Sequence, residues 1–288
     1  MLGWIDTLLQ GLLLGGLYSL YATGLSVIFG IMRLVNLAHG DLIVLGAFLM
    51  LAAAAAGVPI VLALMLVVPL MFLAGYALQS VLLNRALGRN ILPPLLITFG
   101  LSIIVQNGLL ETFSADTRRL HVGALESASL PLGGGIAVGL MPLLGLATAI
   151  AVIVLLNAVF YRTALGRAFR ATSDDVEIAQ LMGIDNKSIY ALTMGIALAV
   201  CAVAGLFLGA RANFDPSIGP ARLLYAFEAV IIGGLGSLWG TLAGGIVVGV
   251  AQTIGAHINP EWQLLSGHIA FLIVLVIRPR GLFPRAVD

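Results

Sequence analysis

Few residues in this chain can do chemistry, and they cluster. Residues 162–187 carry Arg162, Arg167, Arg170, Asp174, Asp175, Glu177, Asp185 and Lys187, eight of only 14 basic and 13 acidic side chains in 288 residues. Arg167 and Arg170 are three apart and share a helix face. Asp174-Asp175-Val176-Glu177 has the N-cap-then-Glu spacing of a capping box. Ile178, Leu181 and Met182 would line one apolar face over about two turns that follow it. Gly166 is where the preceding helix is expected to end, Gly183 suits a helix C′ position, and Asp185 or Asn186 can cap the next helix. The spacing predicts a short amphipathic helix capped at both ends. It offers charge and an apolar face to a soluble partner, or else merely joins two apolar segments.

Other candidate groups are sparse. Asn36, His39 and Asp41, with Gly40 among them, interrupt two apolar runs, either as a buried hydrogen-bonded helix end or as contacts to a solute. A proton relay wants several intramembrane carboxylates. Glu228 alone qualifies, and Arg222 or Arg211 could neutralise it, so it reads as structural or gating. Gly233, Gly234 and Gly236, with Ser237, could line a path because glycine permits broken geometry and close approach; helix packing is the competing reading. Gln106 and Asn107 are expected to bond between helices.

Several chemistries are disfavoured. His39, His121, His257 and His268 stand apart, with no carboxylate or cysteine at ligand spacing, so no metal or other cofactor is expected. Cys201 is the only cysteine and lies in an apolar run. Ser237 is flanked by Leu235 and Trp239, not by the glycines of a nucleophile elbow, and no nucleophile–base pair suggests an intramembrane enzyme. A phosphate-cradling loop needs a Lys after its glycines; Lys187 follows Ile184-Asp185-Asn186. Any ATP-driven step would need a separate subunit.

The elements that position these groups are membrane spans. The chain is 60% hydrophobic and 9% charged, with mean hydropathy +1.11, against roughly 25% charged in soluble domains. Apolar runs of span length predict an all-α polytopic membrane protein of one domain, residues 1–288, with about eight hydrophobic segments. They fall at residues 8–31, 42–56, 60–83, 93–110, 140–160, 189–210, 223–256 and 264–277. The 223–256 run would be about 50 Å long as one helix, too long for one crossing. It is therefore expected to enter as a half-helix, break at its glycines within the membrane and return. The basic stretches at 84–90, 162–170 and 278–285 place these ends in the cytoplasm, and residues 111–139 form a long outer loop. The side of the N-terminus stays open, since Asp6 is its only charge. A polar break before a glycine-containing helix recurs at 36–46 and 228–245, a weak internal repeat of the kind found in transporters.

Four stretches together resemble the branched-chain amino acid ABC transporter permeases, in particular the smaller inner-membrane permease of the high-affinity importer. Gly166-Arg167-Ala168, Arg170-Ala171, Asp174-Asp175, Ala179 and Gly183-Ile184 look like that family's coupling loop. Residues 36–40 with Leu45-Gly46-Ala47 resemble its N-terminal signature, 195–209 its small-residue helix, and 229–237 with Gly240 its glycine hairpin. The resemblance implies a type II-like ABC importer permease in a bacterial inner membrane. Its implied partners are two ABC ATPase subunits, a second permease forming a heterodimer, an extracytoplasmic solute-binding protein and membrane lipid; nucleic acid is not among them. The cargo would be branched-chain or other hydrophobic amino acids. The alternatives are an ion-coupled secondary transporter, or an ABC permease for another small solute such as urea or a short amide.

Overall fold

The computed structural model of the protein describes residues 2–86, 92–133 and 136–283. Among them every expected apolar run is helical: α1 (Leu2–Met32), α2 (His39–Ala55), α3 (Ile60–Ala77), α4 (Leu92–Phe113), α5 (Leu140–Arg162), α8 (Asn186–Arg211), α9 (Gly219–Gly233), α10 (Leu238–Ile258) and α11 (Trp262–Ile277). Two short helices, α6 (Ala164–Asp174) and α7 (Val176–Leu181), lie between α5 and α8. Six of these helices are long and apolar enough to cross a membrane, α3 being extended to Arg85 by a π-turn and a 3-10 turn. The loop at 111–139 carries an element that was not anticipated, a β-hairpin of β1 (Ser129–Gly133) and β2 (Ile136–Gly139). Arg89 and Asn90 of the basic loop, Gly134 and Gly135, and Arg285 of the tail lie outside the described residues.

α1 and α8 form the centre. Their apolar windows are 83% and 72% buried, whereas those of α3, α4 and α5 are 22% buried and turn mostly outward. Without a hydrophobic drive between helices in lipid, close approach at small residues supplies the packing. Gly11 and Gly15 of α1 lie directly on the Val250 and Ile246 backbone of α10. Gly75 of α3 rests against Met194 of α8, and Gly205 of α8 against the Ala47 amide of α2.

These contacts fix direction. α10 runs antiparallel to α1, since Gly15 meets Ile246 while Thr7 bonds His257 at 3.0 Å. α3 runs antiparallel to α8, since Gly75 meets Met194 while Asn84 Nδ2 donates to the Lys187 carbonyl. α2 starts beside the middle of α1 and α8, with His39 bonded to the Tyr21 carbonyl and lying against Cys201, and leaves along α8. α9 starts where α2 starts, Gly219 lying on Gly40 and Asp41, and leaves in the opposite direction, ending where Gly236 touches Gly30 at the end of α1. The chain is thus an inverted repeat: α1–α4 and α8–α11 each comprise a long helix, an irregular return, a short helix beginning in the interior, a long helix and a last helix.

The structure corrects two expectations here. Within the repeat, residues 36–46 correspond in position to the start of α9, not to 228–245. The glycine break, 234–237, does not lie at depth; it sits at the end of the bundle that carries α6 and α7, where Ser173 bonds the Gly30 carbonyl at 2.6 Å. The irregular backbone that returns into the bundle is 33–38 and 212–218, and Ala212, Asn213 and Ser217 are exposed, so water can satisfy their backbone groups.

Candidate functional site

The polar island folds into a rigid bracket. α5 stops at Arg162 because Thr163 turns extended; its hydroxyl donates to the Val159 carbonyl and accepts the Gly166 amide at 3.0 Å, capping α6. Gly166 therefore does not end α5. It lies inside α6, where a Cβ would meet the Val159 and Phe160 carbonyls. Phe169 packs edge-on against Phe160 at 5.3 Å, and the Arg170 guanidinium donates to the Phe160 carbonyl. Arg167 stays exposed.

At the end of α6 the bracket is tied to the central helices. Thr172 donates to Asn186 Oδ1 at 3.1 Å, and Asn186 Nδ2 donates to the Val176 carbonyl at 2.8 Å, joining both short helices to α8. Ser173 makes the link to α1. Asp175 is the N-cap of α7, accepting the Glu177 and Ile178 amides at 2.9 and 3.0 Å. Glu177 is then one position too early to complete a capping box, because Asp174 still belongs to α6. Gly183 has φ +84° and ends α7 as expected, with the Ile184 amide returning to the Ala179 carbonyl at 3.0 Å. Asp185 caps α8, and the hydrogen bond from Ser188 holds its carboxyl below the usual carboxylate range.

Between these caps α7 buries only Ala179. Ile178, Leu181 and Met182 are 59%, 86% and 78% exposed. The folded, pinned segment thus leaves three large apolar side chains uncovered. Asp175→Ala should cost this turn about 1 kcal/mol, seen as faster amide exchange at Glu177 and Ile178 with α8 unaffected. Unchanged exchange would dismiss the cap.

The interior polar groups pair between repeat elements. Asn36 caps its own turn, accepting the Ala38 amide at 3.0 Å, and is buried like His39 and Gly40. Asp41 accepts from Ser102 at 2.5 Å and from Gln106 at 2.9 Å, tying α2 to α4. Asn107, expected to bond between helices, instead donates to Ile103 of its own helix at 2.8 Å. Glu228 is 2% exposed, and its partner is neither Arg222 nor Arg211 but His268 of α11, which contacts one carboxylate oxygen through Nδ1. Both short helices are therefore fastened to the last helix of their own repeat by one buried carboxylate. Thr163 is a local cap that the sequence reading passed over; the pairings of His268, Ser102, Thr172, Ser173 and Asn186 had no signal in the sequence, because each acts on a partner brought near only by folding.

Residues 7–277 match the family described as branched-chain amino acid transport system / permease component. The chain belongs to this permease family. The permease is 31% identical to the high-affinity branched-chain amino acid transport system permease protein BraD of Pseudomonas aeruginosa, over 98% of this chain and 96% of that one. It is 27% identical to LivH of Escherichia coli K12, a permease protein of the same description, over the same shares. Among solved structures, a chain of PsaBC from Streptococcus pneumoniae in complex with Fab is similar with a TM-score of 0.53 at 14% identity, covering 98% of both chains; it shares the fold. The type II-like permease fold expected from the sequence is the one found. Of the sequence-derived positions, the permease brings Gly166 to Ile184 together at one end, with Gly233, Gly234, Gly236 and Ser237 on the same side of the bundle. Asn36, His39 and Gly40 are gathered separately, where α2 and α9 begin.

Proposed function

We propose that this permease is the membrane-spanning subunit of an ATP-driven importer for branched-chain and other hydrophobic amino acids, in a bacterial inner membrane. It would work with two ATPase subunits, a second permease and an extracytoplasmic binding protein. The observation that carries the reading is the uncovered apolar face of α7, held on a bracket bonded to both α1 and α8. In this reading α7 is cytoplasmic and the N-terminus of α1 lies outside. ATP-driven closure of the partners pushes on Ile178, Leu181 and Met182. The Ser173 and Asn186 bonds pass the displacement to the two central helices, against which α2 and α9 begin. Gly166, Arg167, Arg170, Ala171 and Asp174 support that transmission from α6. Loaded binding protein docks on the outer loop and on 212–218. Glu228, Gly233, Gly234, Gly236 and Ser237 border the inner part of the path, while Asn36, His39 and Gly40 hold the crossing of the short helices.

The test is reconstitution with the partner subunits in liposomes. The triple change Ile178→Ser, Leu181→Ser, Met182→Ser should lower leucine uptake, and stimulation of ATP hydrolysis by loaded binding protein, at least about tenfold, the weight of a single interface hot spot. Insertion and the amount of folded permease should be unchanged, because these side chains are mostly exposed. Normal stimulation would refute the assignment.

A further inference from the structure

A second feature lies at the bracket end and shares Arg170, Gly236 and Ser237 with the mechanism above. A cavity of about 540 Å³ lies between α1, α5, α6 and the 236–239 turn, closed below by the Leu282-Phe283 segment, whose amides pair with the Ile232 and Gly233 carbonyls. Its walls are mostly apolar, and its rim carries exposed Tyr161, Trp239 and Phe283. Ser26, Asn157, Arg170 and Ser237 are the polar side chains between the rim aromatics, and Ser237 already accepts the Gly240 amide. Ser26 is 1% exposed and its hydroxyl has no partner. Arg170 is half-buried, 5.2 Å from the Tyr161 ring centroid, and uses only part of its five-donor fork on the Phe160 carbonyl.

We propose that this cavity binds an anionic phospholipid. Arg170 takes the phosphate in its fork, the Ser26 hydroxyl one helical turn deeper meets an ester carbonyl, and the acyl chain lies along the Val27, Phe160 and Leu238 wall. Three observations favour a lipid. The aromatic rim matches the headgroup-level belt of membrane proteins. Among the described residues no acidic side chain lines the cavity, whereas Asp174, Asp175 and Glu177 border a separate one beside Arg33. Further arginines at this end, Arg162, Arg167, Arg278 and Arg280, add to a positive potential that anionic headgroups seek. The lipid would brace α6 against α5 on the side opposite the Ser173 tie.

The test is native mass spectrometry of the full chain, purified with its co-expressed partners and equilibrated with equal phosphatidylglycerol and phosphatidylcholine. Phosphatidylglycerol should be retained preferentially. Arg170→Gln should weaken its retention about fivefold, the weight of one arginine near an anionic surface, and leave phosphatidylcholine unaffected. Ser26→Leu, which fills the deep end, should lower retention of both lipids. Equal retention of the two lipids by the wild type overturns the proposal, as does unchanged retention in both variants. So does displacement of the lipid by inorganic phosphate or leucine, or its loss whenever the partners are present. If a variant does not fold, the wild-type competition decides. None of these outcomes bears on the α7 coupling test.

Discussion

His268→Leu should destabilise the permease by about 1–3 kcal/mol, the cost of leaving a buried carboxyl without its hydrogen-bond partner. Glu228 is fully enclosed between α9 and its neighbours; one oxygen contacts His268, and the other has no hydrogen-bond partner. Removing the imidazole leaves a buried carboxyl with nothing to offset its lost hydration. Replacing both groups by apolar residues, Glu228→Met with His268→Leu, should recover stability to within about 1 kcal/mol, because removing both partners of a hydrogen bond in favour of well-packed apolar groups is often nearly neutral. Denaturant titration of the purified permease in mixed micelles would measure the cycle. If the double variant is no more stable than His268→Leu, the pair does not act as a unit and α11 is held by packing alone. Since α9 touches α11 through this pair, the single variant should also lose transport in proportion to folded protein; the double variant separates fastening from any contact with cargo.

Gly40→Ala should be the most damaging single methyl addition at a sequence-derived position. A Cβ there would collide with the Gly219 carbonyl and lie 2.7 Å from the Leu223 amide. Both obstacles are backbone, so no side chain can swing aside and the starts of α2 and α9 must separate. Overpacking of this kind costs typically about 1–3 kcal/mol, and Gly40→Val should leave little folded protein. Gly100→Ala in α4 is the matched control: nothing lies within 4 Å of its added Cβ, so the change should be neutral or stabilising by up to about 1 kcal/mol. Equal loss at the two sites, read as folded yield after extraction, would remove the crossing of the short helices as the reason for Gly40.

Much of the bracket was legible before folding. Caps and helix ends are local events, made by residues two or three positions apart, so Gly183 and Asp185 could be read from their spacing, while the cap of α7 was placed one residue early, at Asp174. The same locality explains the misreading at Gly166: a glycine suggests a break, but here it serves contact with the preceding helix, and Thr163 makes the turn. A glycine's two uses, φ freedom and close approach, look alike in sequence. Gly234 and Gly236 have positive φ and do break the chain, whereas Gly15, Gly245 and Gly249 sit in continuous helices where another backbone presses on them.

By itself the sequence determined that this is a polytopic helical membrane protein, roughly where its spans lie, which polar segment stands outside them, and which family it resembles, because lipid imposes length and apolarity on every span and capping is local. Tertiary structure alone decided that the two halves run in opposite directions, that α2 and α9 begin against each other, and that Glu228 answers to His268 and Asp41 to Ser102 and Gln106. Those pairings join residues 40 to 65 positions apart. No periodicity encodes such distances. They follow from which small faces can approach closely enough to pack, and that is settled only when all the helices are in place.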